Sequence, residues 1–346
     1  MTRTRPMAFV TEPGKIEFRD VPLPALSPTE VLIKVKVSTI CGSDLHIFKD
    51  KHPSVELPIP VGHEIAGEIV EVGNQVTQVG IGERVAVEPV LVCDTCTFCR
   101  RGDYHLCSNI SFQYRLGQGG FTPYFIADQR WVHRLPDNAS YLEGALIEPM
   151  SVCVHAVRRA VPNFGDRAAI FGDGAIAMYI LQAAQLAGVS SIYVAGINEQ
   201  RLAKALELGA TGVVNSLERD PVAFIREHTD GLGVERSFEA VGIRQTLEQS
   251  LQALKKGGTA VLVGLFEQPE VLLPANIFVH KEIGLVGSQG YAWDFQRSLA
   301  LVANGRVKLA EIVTHQFVLD EVQQAFDLLM EPNTPALKVA VVVDKD

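Results

Sequence analysis

Hydrophobic and polar positions divide the chain into two parts near residue 150. In the first part, short runs such as 31–37 and 67–73 alternate apolar and polar residues and are separated by Gly and Pro. This alternation predicts strands joined by turns, so we expect a mostly β part. From about residue 151, apolar strand-like segments alternate with helical patterns. That order predicts an α/β fold with a parallel sheet covered by helices on both faces.

The second part and the end of the chain contain the clearest elements. We predict strands at 168–171, 191–195, 237–240, 260–263 and 285–287, and helices at 175–187 and 199–208. Near the end we predict helices at 294–303 and 319–330 and a strand at 338–343. No helix follows that last strand in the pattern. We therefore expect it to return to the β-rich first part.

Composition narrows the class of protein. The chain has 346 residues, which at roughly 150 residues per domain favours two domains. Its hydrophobic and charged fractions are ordinary for a globular enzyme and exclude a disordered chain. The net charge of −9 disfavours nucleic acid as a partner. The first residues lack the apolar stretch of a signal peptide, and the apolar segment 174–188 is too short to span a bilayer. We expect a cytoplasmic enzyme with no membrane partner.

Four of the six cysteines lie within 15 residues, spaced C-x2-C-x2-C-x7-C: Cys93, Cys96, Cys99 and Cys107. Four thiolates at this spacing favour a closed tetrahedral zinc site, which has a structural role and no open position for chemistry. An iron–sulfur cluster would be an alternative, but no Pro follows the last cysteine and nothing else indicates an electron carrier. A zinc ribbon that binds nucleic acid would need more basic flanks than Arg100 and Arg101.

A glycine-rich turn follows the predicted strand at 168–171. Gly172, Gly174 and Ala177 give the pattern G-x-G-x-x-A between a strand and a helix, which is typical of a dinucleotide site. The glycines permit a tight turn and a close approach of the pyrophosphate, and the helix N-terminus offers N–H groups to it. Asp173 would bring a carboxylate near the phosphates, so we expect its side chain to point toward solvent.

The residue that reads the adenosine ribose is absent from its usual place. An Asp or Glu at the end of the second strand selects the 2′-hydroxyl of NAD, but Gly196 stands there. No arginine follows directly, and Arg201 is one helical turn farther on. The choice between NAD and NADP therefore stays open, with NADP at least tolerated.

Three distant segments carry further candidate ligands: 41–46 with Cys41, 62–64 with His63, and 148–149 with Glu148. Each has an ordinary explanation when taken alone, as a buried cysteine, a surface His–Glu pair or a helix cap. Together they offer the Cys, His and Glu side chains that can hold zinc while leaving a fourth position for substrate.

These motifs resemble the zinc-dependent medium-chain dehydrogenase/reductase family, in its polyol, butanediol and threonine dehydrogenase branch. The resemblance covers the whole chain and rests on C-G-S-D-L-H at 41–46, G-H-E at 62–64, V-A-V-E-P at 85–89, G-G-F at 119–121, E-P-M-S-V at 148–152, the turn at 172–177 and K-E-I-G-L-V-G-S at 281–288. It implies a GroES-like catalytic domain from residues 1–150 and 292–346, with a Rossmann domain of residues 151–291 inserted between. Family members are commonly homo-tetramers or dimers.

The resemblance also implies roles for individual residues. Cys41, His63 and Glu148 would hold a catalytic zinc, Glu64 would be a nearby carboxylate able to join the coordination, and Asp44 would orient His63. Ser43 and His46 would form a proton relay. A structural zinc would take the four clustered cysteines, whereas Cys153 is a poor ligand candidate. Expected contacts to NAD or NADP are Gly172, Gly174, Ala175, Ile176, Ala177, Gly196, Asn198, Arg201, Val241, Val263, Gly264 and Ser288.

The chain departs from sorbitol-type members near the substrate. Ile47 and Gly290 stand where those members have Tyr and Arg, which removes donors for the distal hydroxyls of a long polyol. We therefore expect interconversion of a secondary alcohol, such as a small vicinal diol, polyol or hydroxyketone, with its ketone. Alternatives are an L-threonine 3-dehydrogenase, a sugar-alcohol-specific dehydrogenase, a zinc-free enone reductase on the same fold, and a non-catalytic nucleotide-binding regulatory protein.

Overall fold

The protein is represented by a computed structural model that describes residues 3–344. The chain forms two units. One unit runs up to Pro149 and resumes at Phe295, and the other is Met150–Asp294.

The described residues contain eighteen strands. They are β1 (Thr4–Glu12), β2 (Lys15–Pro22), β3 (Glu30–Thr39), β4 (Ile59–Pro60), β5 (Glu64–Val72), β6 (Arg84–Val87), β7 (Val90–Leu91), β8 (Ser111–Phe112), β9 (Tyr124–Asp128), β10 (Val132–Arg134), β11 (Arg167–Phe171), β12 (Ser191–Gly196), β13 (Gly212–Asn215), β14 (Val234–Glu239), β15 (Leu254–Leu262), β16 (Gly284–Gly287), β17 (Val313–Val318) and β18 (Lys338–Val342).

The same residues contain eleven α-helices. They are α1 (Gly42–Phe48), α2 (Thr97–Arg100), α3 (Tyr141–Ala145), α4 (Ile147–Ala160), α5 (Ala175–Leu186), α6 (Glu199–Glu207), α7 (Pro221–Glu227), α8 (Arg244–Ala253), α9 (Asn276–Lys281), α10 (Asp294–Ala303) and α11 (Val322–Met330).

The inserted unit is built on a parallel sheet of six strands. Their order is β13-β12-β11-β14-β15-β16, and every neighbouring pair is parallel. This confirms the predicted α/β fold. The strand order reverses direction between β11 and β14, which leaves a crevice at the carboxyl ends of these strands, where ligands bind in such sheets. The apolar core on the sheet includes Phe171, Leu251 and Ile283.

The other unit is mostly β, as its alternating pattern predicts. Its largest sheet has the order β10-β6-β5-β3-β18-β17, with β9 also paired to β3. The last strand, β18, pairs antiparallel with β3 and parallel with β17. The expectation that the end of the chain returns to the β-rich part is therefore confirmed. A core that includes Ile47, Phe121, Phe326 and Val339 packs α1 and α11 against these strands.

Most predicted elements are present, with shifted ends. The strand predicted at 237–240 starts three residues earlier, and the helix predicted at 319–330 begins with a single 3-10 turn at Leu319–Glu321 before α11. Within the inserted unit, the strand β13 and the helices α7, α8 and α9 were not predicted. α7 and α9 have only seven and six residues, too few to show a helical period, and α8 is rich in polar residues, so its apolar face is narrow.

Candidate active site and metal centres

Three of the predicted ligands come together in the β-rich unit. The Cys41 sulfur, a ring nitrogen of His63 and a carboxylate oxygen of Glu64 all lie within 4.8 Å of one another. Cys41 stands at the N-terminus of α1, and Glu64 is the first residue of β5. Gly62 lets the chain turn into this position, because it has φ 88° and an added Cβ would lie 2.9 Å from Phe121.

Asp44 fixes the geometry of this cluster from within α1. Its buried carboxylate accepts the N–H groups of Cys41 at 3.0 Å and Gly62 at 3.1 Å, and lies 3.5 Å from Nδ1 of His63. Burial by itself would raise the pKa of Asp44, but His63 and these backbone donors hold the pKa below its usual value. The carboxylate is therefore an anchor for both candidate ligands.

The charge of His63 depends on the same neighbours. Burial by itself would lower the pKa of its imidazole, but Asp44 and then Cys41 raise that pKa well above its ordinary value. Asp44 and Cys41 therefore favour the protonated imidazolium. Metal ions bind the neutral ring, so a cation bound to a ring nitrogen of His63 would displace one proton.

Glu64 has a cationic partner that the sequence reasoning missed. Lys338, at the start of β18, donates to Oε1 of Glu64 at 2.7 Å and to the carbonyl of Ile40 at 2.8 Å, and Thr39 donates to Oε2. Burial would lower the pKa of Lys338, but Glu64 first, and then Cys41 and Glu148, raise it. No local motif marks Lys338, because it lies 274 residues from Glu64.

Glu148 is buried in the first turn of α4. Among the described residues, its carboxylate is not part of the close group formed by Cys41, His63 and Glu64. Its effect on the pKa of Lys338 shows that it contributes to the same electrostatic environment. The role of Glu148 as a ligand stays a prediction.

The predicted relay residues lie on α1. Ser43 and His46 are three residues apart in this helix, so they share a face, and both side chains are partly exposed. Ile47, by contrast, packs in the core with 2% exposure. The Ile47 side chain therefore belongs to the core and is not exposed to solvent.

The four clustered cysteines form a second group. Each offers a sulfur within 4.8 Å of the other three, and all are free thiols. The sulfurs of Cys96 and Cys99 are 3.5 Å apart, as are those of Cys93 and Cys107. A tetrahedron with Zn–S bonds of about 2.3 Å has sulfur–sulfur edges of about 3.8 Å. The group therefore fits one zinc ion.

Backbone N–H groups surround these sulfurs. Cys96 and Cys99 donate to the preceding cysteine of the motif at 3.4 and 3.5 Å, and Cys93 donates to Cys107 at 3.3 Å. Hydrogen bonds from Thr95 lower the pKa of Cys93 to about 7, and those from Cys99 and Ser108 lower the pKa of Cys96 to about 5. These bonds favour the thiolate, the form that binds zinc, at Cys93 and Cys96, whereas burial and the neighbouring thiols raise the pKa of Cys99 to about 12.

The glycine-rich turn has the predicted form. Gly172 follows β11 with φ 130°, and Gly174 is the N-cap of α5. A Cβ on Gly172 would lie 3.0 Å from the carbonyl oxygen of Ala240, whereas one on Gly174 would meet nothing within 4 Å. The open space at Gly174 is what an approaching phosphate requires. Ala177 is buried, so α5 packs closely on the sheet.

A cleft of about 310 Å³ adjoins this turn in the inserted unit. Four of the predicted cofactor residues line it: Gly172, Gly196, Arg201 and Val241. The other eight predicted cofactor residues do not line the cleft. Four of them belong to the turn and the start of α5 and one is the N-cap of α6: Gly174, Ala175, Ile176, Ala177 and Asn198. The remaining three follow the ends of β15 and β16: Val263, Gly264 and Ser288.

The expectation for Asp173 was wrong. Its side chain does not point to solvent but is 93% buried, and its carboxylate accepts the N–H groups of Ile197 and Asn198. The acid turns across to the end of β12 because Gly196 has no side chain there. The sequence analysis considered only the phosphates that the turn would bind. The glycine at position 196 leaves space for the Asp173 carboxylate, and this was the feature of the sequence that could have predicted its direction.

Comparisons with known proteins place the chain in a family. Residues 27–137 match the alcohol dehydrogenase GroES-like domain, and residues 175–304 match the zinc-binding dehydrogenase family. The chain is 35% identical to sorbitol dehydrogenase of Bacillus subtilis, covering 99% of each chain. It is 36% identical to (R,R)-butanediol dehydrogenase of the same organism, with 91% of this chain and 93% of that one covered.

This chain belongs to the zinc-binding, GroES-like alcohol dehydrogenases. Its fold agrees with that assignment. A solved structure of a Sinorhizobium meliloti protein bound to NADP superposes with a TM-score of 0.90 at 29% identity, covering 99% of this chain and all of that one. The resemblance seen in the motifs is thereby confirmed, and the protein is a zinc-dependent alcohol or polyol dehydrogenase.

The donor sets of this dehydrogenase suit two different kinds of zinc site. The four-cysteine group supplies all four positions of a tetrahedron, which is typical of a structural site. The Cys41 group supplies a thiolate, an imidazole and a carboxylate from its own unit, a mixed set typical of sites that keep a position for substrate. Across residues 3–344, no helix has the length and apolar character needed to cross a bilayer.

Proposed function

We propose that this dehydrogenase interconverts the secondary alcohol of a small vicinal diol, polyol or hydroxyketone with the corresponding ketone, using NAD or NADP. The observation that carries this proposal is the Cys41, His63 and Glu64 cluster, held by Asp44 of α1, the helix that also carries Ser43 and His46. The sorbitol and butanediol dehydrogenases among its relatives support the substrate class.

Zinc at this cluster, when bound, would polarise the substrate oxygen, and the nicotinamide would exchange the hydride. Cys41, His63 and Glu148 would hold that zinc, with Glu64 as a further carboxylate. Asp44 would keep His63 oriented through its hydrogen bond. We assign residues 1–150 and 292–346 to the catalytic domain and residues 151–291 to the nucleotide domain.

Ser43 and His46 would move the proton of the alcohol. Their shared face on α1 supports this role, because a relay needs its members on one side of the helix. The Ser43 hydroxyl can accept a proton while it donates its own, and the partly exposed imidazole of His46 can release one to solvent. Ile47 is buried in the core and carries no hydrogen-bonding group, so this position supplies no donor for the distal hydroxyls of a long polyol.

A substrate panel with metal analysis tests the proposal. We expect the wild type to oxidise secondary diols or polyols and to hold two zinc ions per chain. In Cys41→Ser, one zinc should be lost and kcat/KM should fall by about a thousandfold or more, because a Lewis acid contributes several kcal/mol to the transition state. Measurements are initial rates of cofactor reduction and zinc content after dialysis.

Cys153→Ala is the matched control, because Cys153 is a buried cysteine outside both clusters. It should keep both zinc ions and its rate. Activity on primary alcohols alone would contradict the substrate class. One zinc per chain in the wild type would instead indicate a reductase without a catalytic zinc, and full turnover by Cys41→Ser would favour a non-catalytic metal site.

The homo-oligomeric state and the cytoplasmic location also stay predictions of this proposal. Light scattering of the purified protein measures the first, with a dimer or tetramer expected. Cell fractionation measures the second.

A further inference from the structure

The carboxylate of Asp173 occupies the space of a side chain that β12 lacks. A Cβ built on Gly196 would lie 2.5 Å from both Cβ and Oδ2 of Asp173. In dinucleotide folds the acid that hydrogen-bonds the ribose 2′-hydroxyl projects from this end of the second strand. Here the strand end carries no acid, and a carboxylate reaches the same place from the glycine-rich turn.

This carboxylate is held in a fixed position. Its Oδ2 accepts the N–H groups of Ile197 at 2.7 Å and Asn198 at 2.9 Å. Its Oδ1 lies 3.4 Å from Nη1 of Arg201, in the first turn of α6. A carboxylate can accept about four hydrogen bonds, so Oδ1 retains capacity for a hydroxyl donor.

The surroundings of Asp173 suit a neutral hydroxyl better than a phosphate. Asp173 and Arg201 are the charged residues among those that line the cleft, and the other lining residues include Ser216, Leu217 and Val241. Arg201 is the cation among the residues that line the cleft, but its guanidinium faces Asp173. A 2′-phosphate would therefore meet a fixed carboxylate beside an arginine that is already paired.

We propose that Asp173 is the residue that reads the adenosine ribose and makes this enzyme selective for NAD over NADP. The acid acts from the first βα turn in place of the strand end at Gly196. This inference rests on the proposed function, in that it assumes a dinucleotide in this cleft.

Binding of two nicotinamide-free ligands, ADP-ribose and 2′-phospho-ADP-ribose, tests the proposal without turnover. Calorimetry on the wild type should give a Kd about a hundredfold lower for ADP-ribose, because placing like charges together costs several kcal/mol. In Asp173→Ser the two Kd values should converge to within about threefold, or reverse as Arg201 becomes available to the phosphate.

Asp220→Ser is a matched control. Asp220 accepts a backbone N–H at the N-terminus of α7, in the same unit, but it does not line the cleft. This variant should keep the wild-type ratio of Kd values. A loss of the ratio there as well would overturn the specific role of Asp173.

A double variant tests whether the negative charge at this place is sufficient when the hydrogen bonds of Asp173 to Ile197 and Asn198 are absent. Gly196→Asp alone should be destabilised, because its new side chain overlaps Asp173. Asp173→Gly with Gly196→Asp returns the acid to the strand end, and we expect it to restore the preference for ADP-ribose.

Three further results would overturn the proposal. Equal or tighter binding of the phosphorylated ligand by the wild type, or an unchanged ratio in Asp173→Ser, would remove the role of Asp173 and leave the dinucleotide site standing. Failure of the wild type to bind either ligand would overturn the dinucleotide site itself, and this proposal with it.

Discussion

Lys338 and Glu64 form a buried ion pair next to the candidate metal ligands Cys41 and His63. Both side chains are at least 95% buried, and their charges face each other at 2.7 Å. An ion removed from water is costly unless it is paired and hydrogen-bonded, and here the Ile40 carbonyl and the Thr39 hydroxyl complete the set. The lysine therefore stabilises the negative charge of Glu64.

Lys338→Met tests this at the residue scale. The methionine keeps the volume of the side chain but leaves the Glu64 carboxylate buried without its cation. We expect the free energy of unfolding to fall by about 3–5 kcal/mol, measured by urea denaturation. Adding Glu64→Gln should recover part of that loss, because the uncompensated charge is then removed.

Lys308→Met is the control for that measurement. Lys308 pairs with Glu311 on the surface, with 61% of its side chain exposed. Surface pairs of this kind contribute about 0–1 kcal/mol. A loss of less than about 1 kcal/mol in Lys338→Met would show that the buried pair is not needed for stability.

At the scale of elements, Glu235 joins the beginnings of three parallel strands. It lies in β14 and accepts the backbone N–H of Arg167 in β11 at 2.8 Å and the ammonium of Lys255 in β15 at 2.6 Å. Burial would raise the pKa of Glu235, but the hydrogen bonds from Arg167 and Lys255 lower it to about 2. One carboxylate thus links the beginnings of three neighbouring strands.

Acid should weaken this connection. The pKa of Glu235 is about 2 in the folded chain and 4.5 when unperturbed. Because the folded value is the lower one, its contribution is complete above pH 4.5 and is lost as the pH falls toward 2. At pH 7 we expect Glu235→Gln to lower the free energy of unfolding by about 1.5–3 kcal/mol, with a difference that shrinks below pH 4.5.

Denaturation curves between pH 7 and pH 3 measure this difference. Glu248→Gln is the control, because Glu248 pairs with Arg244 along the surface of α8 in the same unit and joins no strands. Its effect should stay within about 0.5 kcal/mol at each pH. A Glu235→Gln deficit that did not change with pH would contradict the assignment.

At the scale of the whole molecule, the two candidate metal groups differ in how much buried packing surrounds them. The helix of the four-cysteine loop, α2, has no buried residue, and within residues 93–109 only Tyr104 and Cys107 are buried. Metal–thiolate bonds supply what the missing core does not, as in other small zinc-held segments. The Cys41 group lies instead where α1 and β5 begin, and both elements contribute residues to the buried core.

Cys99→Ser should therefore unfold the loop without unfolding the molecule. We expect one zinc to be lost and amide exchange to increase across residues 93–109, because the bonds that order the loop are gone. The inserted unit should keep its wild-type protection. Hydrogen-exchange mass spectrometry with zinc analysis gives both results.

Cys41→Ser is the control in the same experiment, because it also removes one candidate zinc ligand but lies outside the four-cysteine loop. It should lose a zinc as well, but leave exchange in 93–109 unchanged. If Cys99→Ser kept full protection of the loop, packing and not metal would hold it.

Features that depend on residues close together in the sequence could be predicted, and contacts between residues far apart in the sequence could not. The parallel sheet, the turn at Gly172 and the four-cysteine group follow from short spacings, because strand, turn and ligand patterns repeat within a few residues. The pairing of Lys338 with Glu64 and the turn of Asp173 onto Gly196 join distant segments, and no local period marks them.

By itself, the sequence determined the α/β class, the family and the chemical types of the candidate ligands, because these depend on local pattern and residue identity. Only the tertiary structure decided which carboxylate lies beside Cys41 and His63, which cation stabilises it, and where Asp173 turns. Those outcomes depend on the free volume and burial created when remote strands pack, and a side chain takes the direction in which its charge can be paired.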